Sequence, residues 1–379
     1  MTYTFSEKHF INEDGRLVYK PNLNLYDYEL LELIMEAERN IGALARLGLK
    51  NHPLKPTILR NSMVRTAHFT TKIEQNKLEY KEVEKLYSNY KIEGLTTSQK
   101  FKLEVRNVFE AYDYLYNLNP RLDFSNIDEQ VLKTIHELLM RDLTGHPNGY
   151  RQIPVTLQDG DGEVSYIPPS YLDVPPLMGA FFTWLYTSVT GHENPYDQQV
   201  NPQFKIHPLL ISGITHHIIG YIHPFPDGNG RTARAFSTLV ALIHPDLSTI
   251  KDAFSVEEFF DKRIDEYYDT LMQASQGDLK PFITFYLECI NASLMKVLKE
   301  LQRYDRIKHV NELLGKGHAR TMFEIIARME DGDEFHRQIF DDMLSASASS
   351  IAKNLSRLKE LQVIKPGENR GTYIITILD

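Results

Sequence analysis

Residues 223–234 read HPFPDGNGRTAR. The stretch is bracketed by two apolar runs at helical spacing, ISGITHHIIGYI (211–222) before it and AFSTLVALI (235–243) after it. A connector between two buried helices needs a glycine or a proline. It does not need a histidine, an acid, two glycines, two prolines and two arginines in twelve residues. The surplus polarity says that the loop holds something.

Gly228 and Gly230 let the backbone approach a ligand closely, and they stand directly before a helix start. There the N–H groups are unpaired and the helix dipole adds positive potential, which makes a phosphate site. Arg231 and Arg234 are three apart and share a helix face, so their guanidiniums can fork onto further phosphate oxygens. Asp227 is a hard carboxylate beside that nest, the type of ligand that holds Mg2+ together with phosphates and water. His223 titrates near neutrality and can take a proton from a hydroxyl attacking phosphorus. Pro224 and Pro226 stiffen the loop and Phe225 anchors it. No Gly-Lys-Ser/Thr follows, so the loop is not a Walker A motif. The chemistry it suggests is transfer of a phosphorus-centred group from a nucleotide.

Working outward, helical periodicity recurs over 26–49, 83–89, 102–118, 126–143 (with Asn126 as its cap), 174–189, 208–222, 231–243, 255–274 and 279–303. Over 58–78 the pattern is mixed, and Thr70 and Thr71 are placed to start a helix there. Residues 149–170, GYRQIPVTLQDGDGEVSYIPPS, put β-type residues on either side of DGDG, the one hairpin expected in the first three hundred residues. In the last eighty residues, TMFEIIARM and DEFHRQIFDDML read as short helices and 345–364 as a longer one. IKPGENRGTYIITIL then reads as strand, turn, strand; three helices and a hairpin suggest a winged helix.

The 379 residues allow two or three domains. A composition of 42% hydrophobic and 25% charged residues is that of a globular protein. The net charge of −9 argues against indiscriminate binding to nucleic acid or anionic membrane, without excluding a local basic patch. A single cysteine, Cys289, allows no disulfide framework, so a reducing compartment fits. The beginning, MTYTFSEKHFINEDGR, lacks the basic and apolar regions of a signal peptide, and no apolar run is long enough for a membrane span. A cytoplasmic location without a membrane partner is expected. His207, His216, His217 and His223 resemble a metal cluster on paper. His207 is better read as the residue before a proline-started helix, and His216 or His217 as a hydrogen-bonded core residue. Trp184 is read as core.

HPFPDGNGRTAR matches the Fic signature, His-x-Phe-x-Asp/Glu-Gly-Asn-Gly-Arg-x-x-Arg, at every fixed position. The preceding HPLLISGITHHIIGYIHPF resembles the family's preceding helix. The resemblance covers roughly residues 60–290. It implies transfer of AMP from ATP, with Mg2+, to a Ser, Thr or Tyr hydroxyl of a target protein. It makes His223 the base, Asp227 the metal ligand, and Gly228, Asn229, Gly230 and Arg231 the phosphate cradle, with Arg234 on the γ-phosphate. The 149–169 hairpin resembles the family's flap, whose open edge docks an extended target segment. TTKIEQN (70–76) resembles the inhibitory motif of many Fic proteins, with Gln75 where glycine is usual. In that role Glu74 pairs with Arg234 and competes with the γ-phosphate. One departure concerns the base: family members often carry an Asn shortly before a Tyr-Tyr pair, and RIDEYYDTL places Arg263 there.

The expected architecture is mainly α. Residues 1–120 form a helical region with an inhibitory helix near 70–80, residues 121–295 the Fic core with its flap, and residues 305–379 a winged helix. The expected activity is protein adenylyltransfer held back by Glu74. Two alternatives stand beside it: removal of AMP at the same site, with Glu74 placing a water, and a DNA-binding regulator whose Fic core senses a nucleotide. The partners expected are a protein substrate on the flap and DNA or protein on the winged helix, with a homodimer left open. Basic residues Lys353, Arg357, Lys359 and Arg370 favour DNA; the acidic EDGDE and DD runs favour protein.

Overall fold

The computed structural model describes residues 9–13, 15–89, 100–118, 127–143, 149–158, 164–190, 206–247, 251, 253, 255–344 and 346–378. The chain divides into two compact units, Met1–Leu294 and Met295–Asp379. Helices dominate both, and the strands described form three small antiparallel sheets.

The centre of the first unit is a helix pair, α7 (Pro208–Ile222) and α8 (Asn229–Ala241), joined by the polar loop. α7 is mostly apolar and, apart from Gly220, buried along its whole length, with Ser212, Thr215, His216 and His217 buried in it, as a helix without a polar outer face must be. His207 caps it, its Nδ1 accepting from the Leu209 N–H at 3.3 Å. Pro208 supplies the fixed φ of the first turn. Around this pair stand α4 (Lys100–Asn117), α5 (Glu129–Met140) and α6 (Val174–Thr190), with α5 on α8 and α6 on α7. The cap of α5 is Asp128, which accepts from the Val131 N–H at 2.8 Å, as an N-cap carboxylate does. Asn126, expected in that place, lies outside the described residues.

α1 (Tyr28–Arg46) and α3 (Tyr80–Asn89) are amphipathic, and α1 ends after Arg46. α2 (Lys55–Ile73) corrects the reading of 58–78: Thr70 and Thr71 close a helix rather than open one. The Thr71 hydroxyl bonds back to the carbonyls of Ala67 (2.8 Å) and His68 (3.1 Å), so it is not free to cap a following turn. The helix stops because Gln75 turns left-handed at φ 67°. The Gln75 N–H then donates to Lys72 O (2.8 Å) and the Asn76 N–H to Thr71 O (3.0 Å), a Schellman closure. Buried polar contacts fix α2 against its neighbours. Glu257 accepts from Tyr112 (2.5 Å), Ser255 (3.1 Å) and Thr66 (3.4 Å), and Arg65 faces Glu258 at 3.7 Å.

Three further readings change. A second hairpin, β1 (Phe10–Glu13) with β2 (Arg16–Tyr19), precedes the helices; its four-residue strands were too short to register as a pattern. The 255–274 helix breaks at Arg263 into α9 (Glu257–Lys262) and α10 (Ile264–Ser275). The 279–303 helix, α11, runs over Lys280–Leu314. The flap strands are β3 (Leu157–Gln158) and β4 (Val164–Tyr166), paired antiparallel; the DGDG turn lies outside the described residues.

The second unit has α12 (His318–Ile326), β5 (Glu334–His336), α13 (Gln338–Met343), α14 (Ala348–Glu360), β6 (Ile364–Pro366) and β7 (Thr372–Ile375). The sheet order is β5-β7-β6. The DEFHR segment, read as helix, pairs with β7 as a strand. Phe335 points inward between exposed Glu334 and His336, the alternation of a strand with one buried face. Met322, Phe323, Ile326, Phe340, Ile351, Leu355 and Leu358 close a separate apolar core.

Candidate active site

The loop after α7 begins with His223, which closes that helix in the left-handed region at φ 53°, ψ 58°. A histidine there carries backbone strain, so the surrounding structure must hold it. Arg151 does so. Its Nε donates to the His223 carbonyl at 2.7 Å, and its Nη2 donates to the carbonyls of Ile222 (3.4 Å) and Pro169. Its Nη1 reaches the Ile153 carbonyl at 3.4 Å, and its own N–H donates to Pro224 O at 2.8 Å. One buried guanidinium thus ties the loop to both sides of the flap. Its planar fork suits converging carbonyls. Sequence reading missed Arg151, because a lone arginine in GYRQIP has no period or motif to mark it.

The His223 ring is oriented by its own helix. Nδ1 donates to the Gly220 carbonyl at 3.4 Å, which leaves the lone pair on Nε2. Burial pushes the imidazole down to about 4, with Arg151 adding to the fall and the Gly220 contact, Glu74 and Asp227 opposing it. The ring is therefore neutral at pH 7, as a base must be.

The rest of the loop is braced from within. The Asn229 carboxamide accepts from the Phe225 N–H and donates to the Phe225 carbonyl, both at 2.8 Å. Its side chain is taken up by the loop, so what it offers a ligand is its backbone N–H. His136 stacks on Phe225 (centroids 3.7 Å, planes 7° apart) and donates to Asp227 O at 2.9 Å. This second brace also went unseen in the sequence, where His136 is one polar residue on an amphipathic helix.

Gly228 starts α8 at φ 76°, and a Cβ there would run into the Met140 sulfur. Asp227 turns a half-exposed carboxylate beside it and accepts from the Gly228 N–H at 2.6 Å. Arg231 is buried, and its Nε and Nη1 have no hydrogen-bond partner among the described residues. Its Nη2 stands 3.8 Å from Asp227 Oδ1. A buried guanidinium with unmet donors at the mouth of a glycine-led helix fits an anionic oxygen ligand. The donor set accommodates a polyphosphate, and Asp227 is the hard oxygen ligand that Mg2+ takes.

Arg234 is held by α2 and by Glu74, the C-cap of that helix. Its Nε donates to Thr70 Oγ1 (2.7 Å), and its Nη2 donates to Thr70 O (3.0 Å) and Glu74 Oε1 (2.7 Å). Burial disfavours its charge, yet Glu74 and the neighbouring tyrosines hold it above its ordinary value. Tyr267 and Tyr268 close this end of the site, Tyr267 through His216 (2.9 Å) and Tyr268 through the Ile73 carbonyl (3.4 Å). Arg263 is drawn away to Glu266 and Glu288, over the ring of Phe285.

The four histidines do not converge. His207 and His223 stand at opposite ends of α7, a separation of about 24 Å at the helical rise per residue. His216 is the hydrogen-bonded core residue expected. A different trio does meet: His207 and His244 reach Glu38 Oε1 at 2.9 and 2.7 Å. Each Nδ1 accepts from a backbone N–H, of Leu209 and Leu247, so each Nε2 carries the proton and donates to Glu38. In that tautomer neither ring offers a lone pair to a cation, and the trio is a hydrogen-bonded brace.

A cavity of about 490 Å³ opens along the flap, lined by Arg151, Val155, Tyr166, Ile167, Tyr221 and Ser275. Ile167 of its lining is exposed, as are Ile153 and Val164 on the flap and Leu172 after it.

Residues 126–241 match the Fic/DOC family. The chain is similar to the protein adenylyltransferase Fic of Nematostella vectensis, 29% identical over 172 residues, which is 45% of this chain and 32% of that protein. It is similar to the protein of the same name from Culex quinquefasciatus, 30% identical over 34% of this chain and 22% of the relative. The chain therefore spans about a third or less of the curated relatives it matches. Its fold is similar to that of a Fic family protein from Desulfovibrio desulfuricans, with a TM-score of 0.58, 25% identity, and 94% and 98% of the two chains covered. A Fic domain containing signaling protein from Bacteroides thetaiotaomicron shares the fold at TM-score 0.52 and 16% identity, over 72% of this chain and 97% of that one.

Proposed function

The chain belongs to the Fic family, and from that premise we propose that it transfers AMP from ATP to a Ser, Thr or Tyr hydroxyl of a protein and restrains itself through Glu74. The observation that carries this reading is the buried Arg231 with unmet donors, set at the α8 mouth near a neutral His223.

In this reading the polyphosphate lies on the Gly228–Arg231 backbone, with Arg231 on its oxygens and Arg234 on the γ-phosphate. Nε2 of His223 takes the proton of the target hydroxyl. The hydroxyl oxygen forms a bond to the α-phosphorus, the bond from that phosphorus to the bridging oxygen breaks, and diphosphate leaves. Asp227 would hold Mg2+, which would neutralise charge building on the phosphates. The target segment is assigned to the open flap edge and the cavity beside it, where main-chain pairing holds the segment without reading its sequence.

The restraint is a competition for one guanidinium. Glu74 takes the Arg234 donor that the γ-phosphate would use. Each ~1.4 kcal/mol in that contest shifts productive binding tenfold.

The test is incubation of wild type, His223→Ala and Glu74→Gly with ATP labelled on the α-phosphate and a cell lysate, followed by mass identification of labelled proteins. Label in wild type and Glu74→Gly but not in His223→Ala is expected. Equal labelling in His223→Ala, or none in any sample, sinks the reading.

A further inference from the structure

The second unit has a surface that the proposed chemistry does not use. Its element order is that of a winged helix, with α14 in the recognition position and the β6–β7 turn as the wing. α14 presents Ile351, Leu355 and Leu358 to the core. The opposite face presents Ser349, Lys353 and Ser356 along one line, flanked by exposed Ala348, Ala352, Arg357 and Lys359. Ser347 caps the helix through the Ser350 N–H at 3.3 Å. The wing adds exposed Lys365 and Arg370.

Two features of this face select its partner. First, its charge runs against that of the chain. From 348 to 370 the acids are Glu360 and Glu368, against Lys353, Arg357, Lys359, Lys365 and Arg370, in a chain of net charge −9. Glu360 stands in the last turn of α14, away from the N-terminal half that enters a groove first. Other acidic residues of the unit gather at 330–334 and 341–342, where the Glu334 carboxylate lies against the base of the wing at Gly367 and the N-terminal half of α14 carries none. Second, the outward face of α14 carries small and hydroxyl side chains and no large apolar one. Protein interfaces centre on buried aromatic or aliphatic anchors. A helix entering a major groove needs a slim face, hydroxyls and cations.

We infer that the Met295–Asp379 unit binds duplex DNA, with the N-terminal half of α14 in the major groove and the Lys365–Arg370 wing on the adjacent backbone. Lys353 and Ser349 face base edges, and Lys359 and Arg370 face phosphates; Arg357 is held on the Leu313 carbonyl through Nη2 at 2.8 Å. The A-form major groove is too deep and narrow for this helix, so double-stranded RNA is a poor ligand.

The test uses the full chain and a fluorescein-labelled pool of random-sequence duplexes of about 20 bp, read by anisotropy between about 50 and 200 mM salt. Wild type binds at the low end, with affinity falling steeply as salt rises. Lys353→Glu and the Lys353→Ala/Lys359→Ala pair each weaken binding at least about tenfold, and the pair lowers the log–log salt slope by about two. Circular dichroism melts establish that both variants fold, since the altered side chains are exposed. His223→Ala binds as wild type does. Failure of wild type to bind at the low salt, unchanged affinity and slope in both folded variants, or equal competition by double-stranded RNA overturns the inference.

Discussion

Oε1 of Glu74 stands 2.7 Å from Nη2 of Arg234 and fills the space that a side chain at Gly230 would need. A Cβ on Gly230 would fall inside contact distance of that oxygen and lie 3.2 Å from Nη1 of Arg234. The glycine of the proposed phosphate cradle is thus also the glycine that admits the carboxylate. In the proposed reading, cradle and restraint share one volume, which is the geometry of a competition.

Glu74→Gly removes the competitor and leaves Arg234 held by Thr70. A charge-assisted hydrogen bond of this kind is worth about 1.5–3 kcal/mol, so AMP incorporation should rise about tenfold or more. Gly230→Ala pushes the same carboxylate off Arg234 but crowds the cradle too. It should loosen the restraint while raising the apparent KM for ATP. Initial rates at several ATP concentrations separate the two. A Glu74→Gly rate no higher than wild type would show that the ion pair restrains nothing.

In the proposed reaction, Arg151 acts on the chemistry through the backbone of His223, whose carbonyl its Nε holds at 2.7 Å. Arg151→Gln loses the fork that gathers the carbonyls of Ile222, His223 and Pro169, so the left-handed turn at His223 loosens. A misplaced base of this kind costs about 100-fold in rate. Arg151→Lys should rescue little, because a point charge cannot meet several carbonyls in one plane. Loss should appear in kcat, with binding of a non-hydrolysable ATP analogue largely kept. Full activity in both variants would remove Arg151 from the machinery.

Protonation of His223 gives a direct readout. Burial holds its folded value at about 4, against an ordinary 6.5. Between those two values the unfolded chain binds the proton and the native chain does not, so the unfolded state is favoured as pH falls. The contribution to stability is complete above 6.5 and is lost on the way down through about 4. In the ligand-free chain the imidazole resonance should titrate near 4, and higher in Arg151→Gln, since the Arg151 charge depresses it. A midpoint near 6.5 in wild type would mean that the ring is solvated rather than buried.

The motif was legible because its chemistry is local. Every group from His223 to Arg234 lies on one turn and one helix start, so spacing alone placed them together. Arg151 and His136 were not legible. Each reaches the loop from a distant segment and acts on backbone carbonyls, which leave no trace in residue type. The helix at 55–73 was misread for a related reason. Thr70 and Thr71 resemble a cap, but the cap is decided by where their hydroxyls bond, and Thr71 bonds backward to Ala67 and His68. The strand at Glu334–His336 depended on pairing with β7, a contact between segments well separated in the chain.

Gln75 stands where the inhibitory motif that TTKIEQN resembles usually has glycine, and the structure gives that difference a cost. Its φ of 67° is the left-handed cap position of a Schellman closure, held by the Gln75 and Asn76 N–H groups on Lys72 and Thr71. A residue with a Cβ is strained there by about 1–2 kcal/mol, and glycine is not. Gln75→Gly gains back part of this, since glycine also loses more entropy on folding. The expected net gain is about 1 kcal/mol, a rise of about 2–4 °C in the melting temperature of a unit this size. Because Glu74 is the residue before this turn, a firmer cap also holds its carboxylate on Arg234. Gln75→Gly should therefore melt later and incorporate less AMP than wild type, while Gln75→Ala, which keeps the strained Cβ, should do neither. Calorimetry and rate measurement on the two variants side by side decide the matter. Equal melting temperatures would place the strain elsewhere, and a later melt with unchanged incorporation would separate the cap from the restraint.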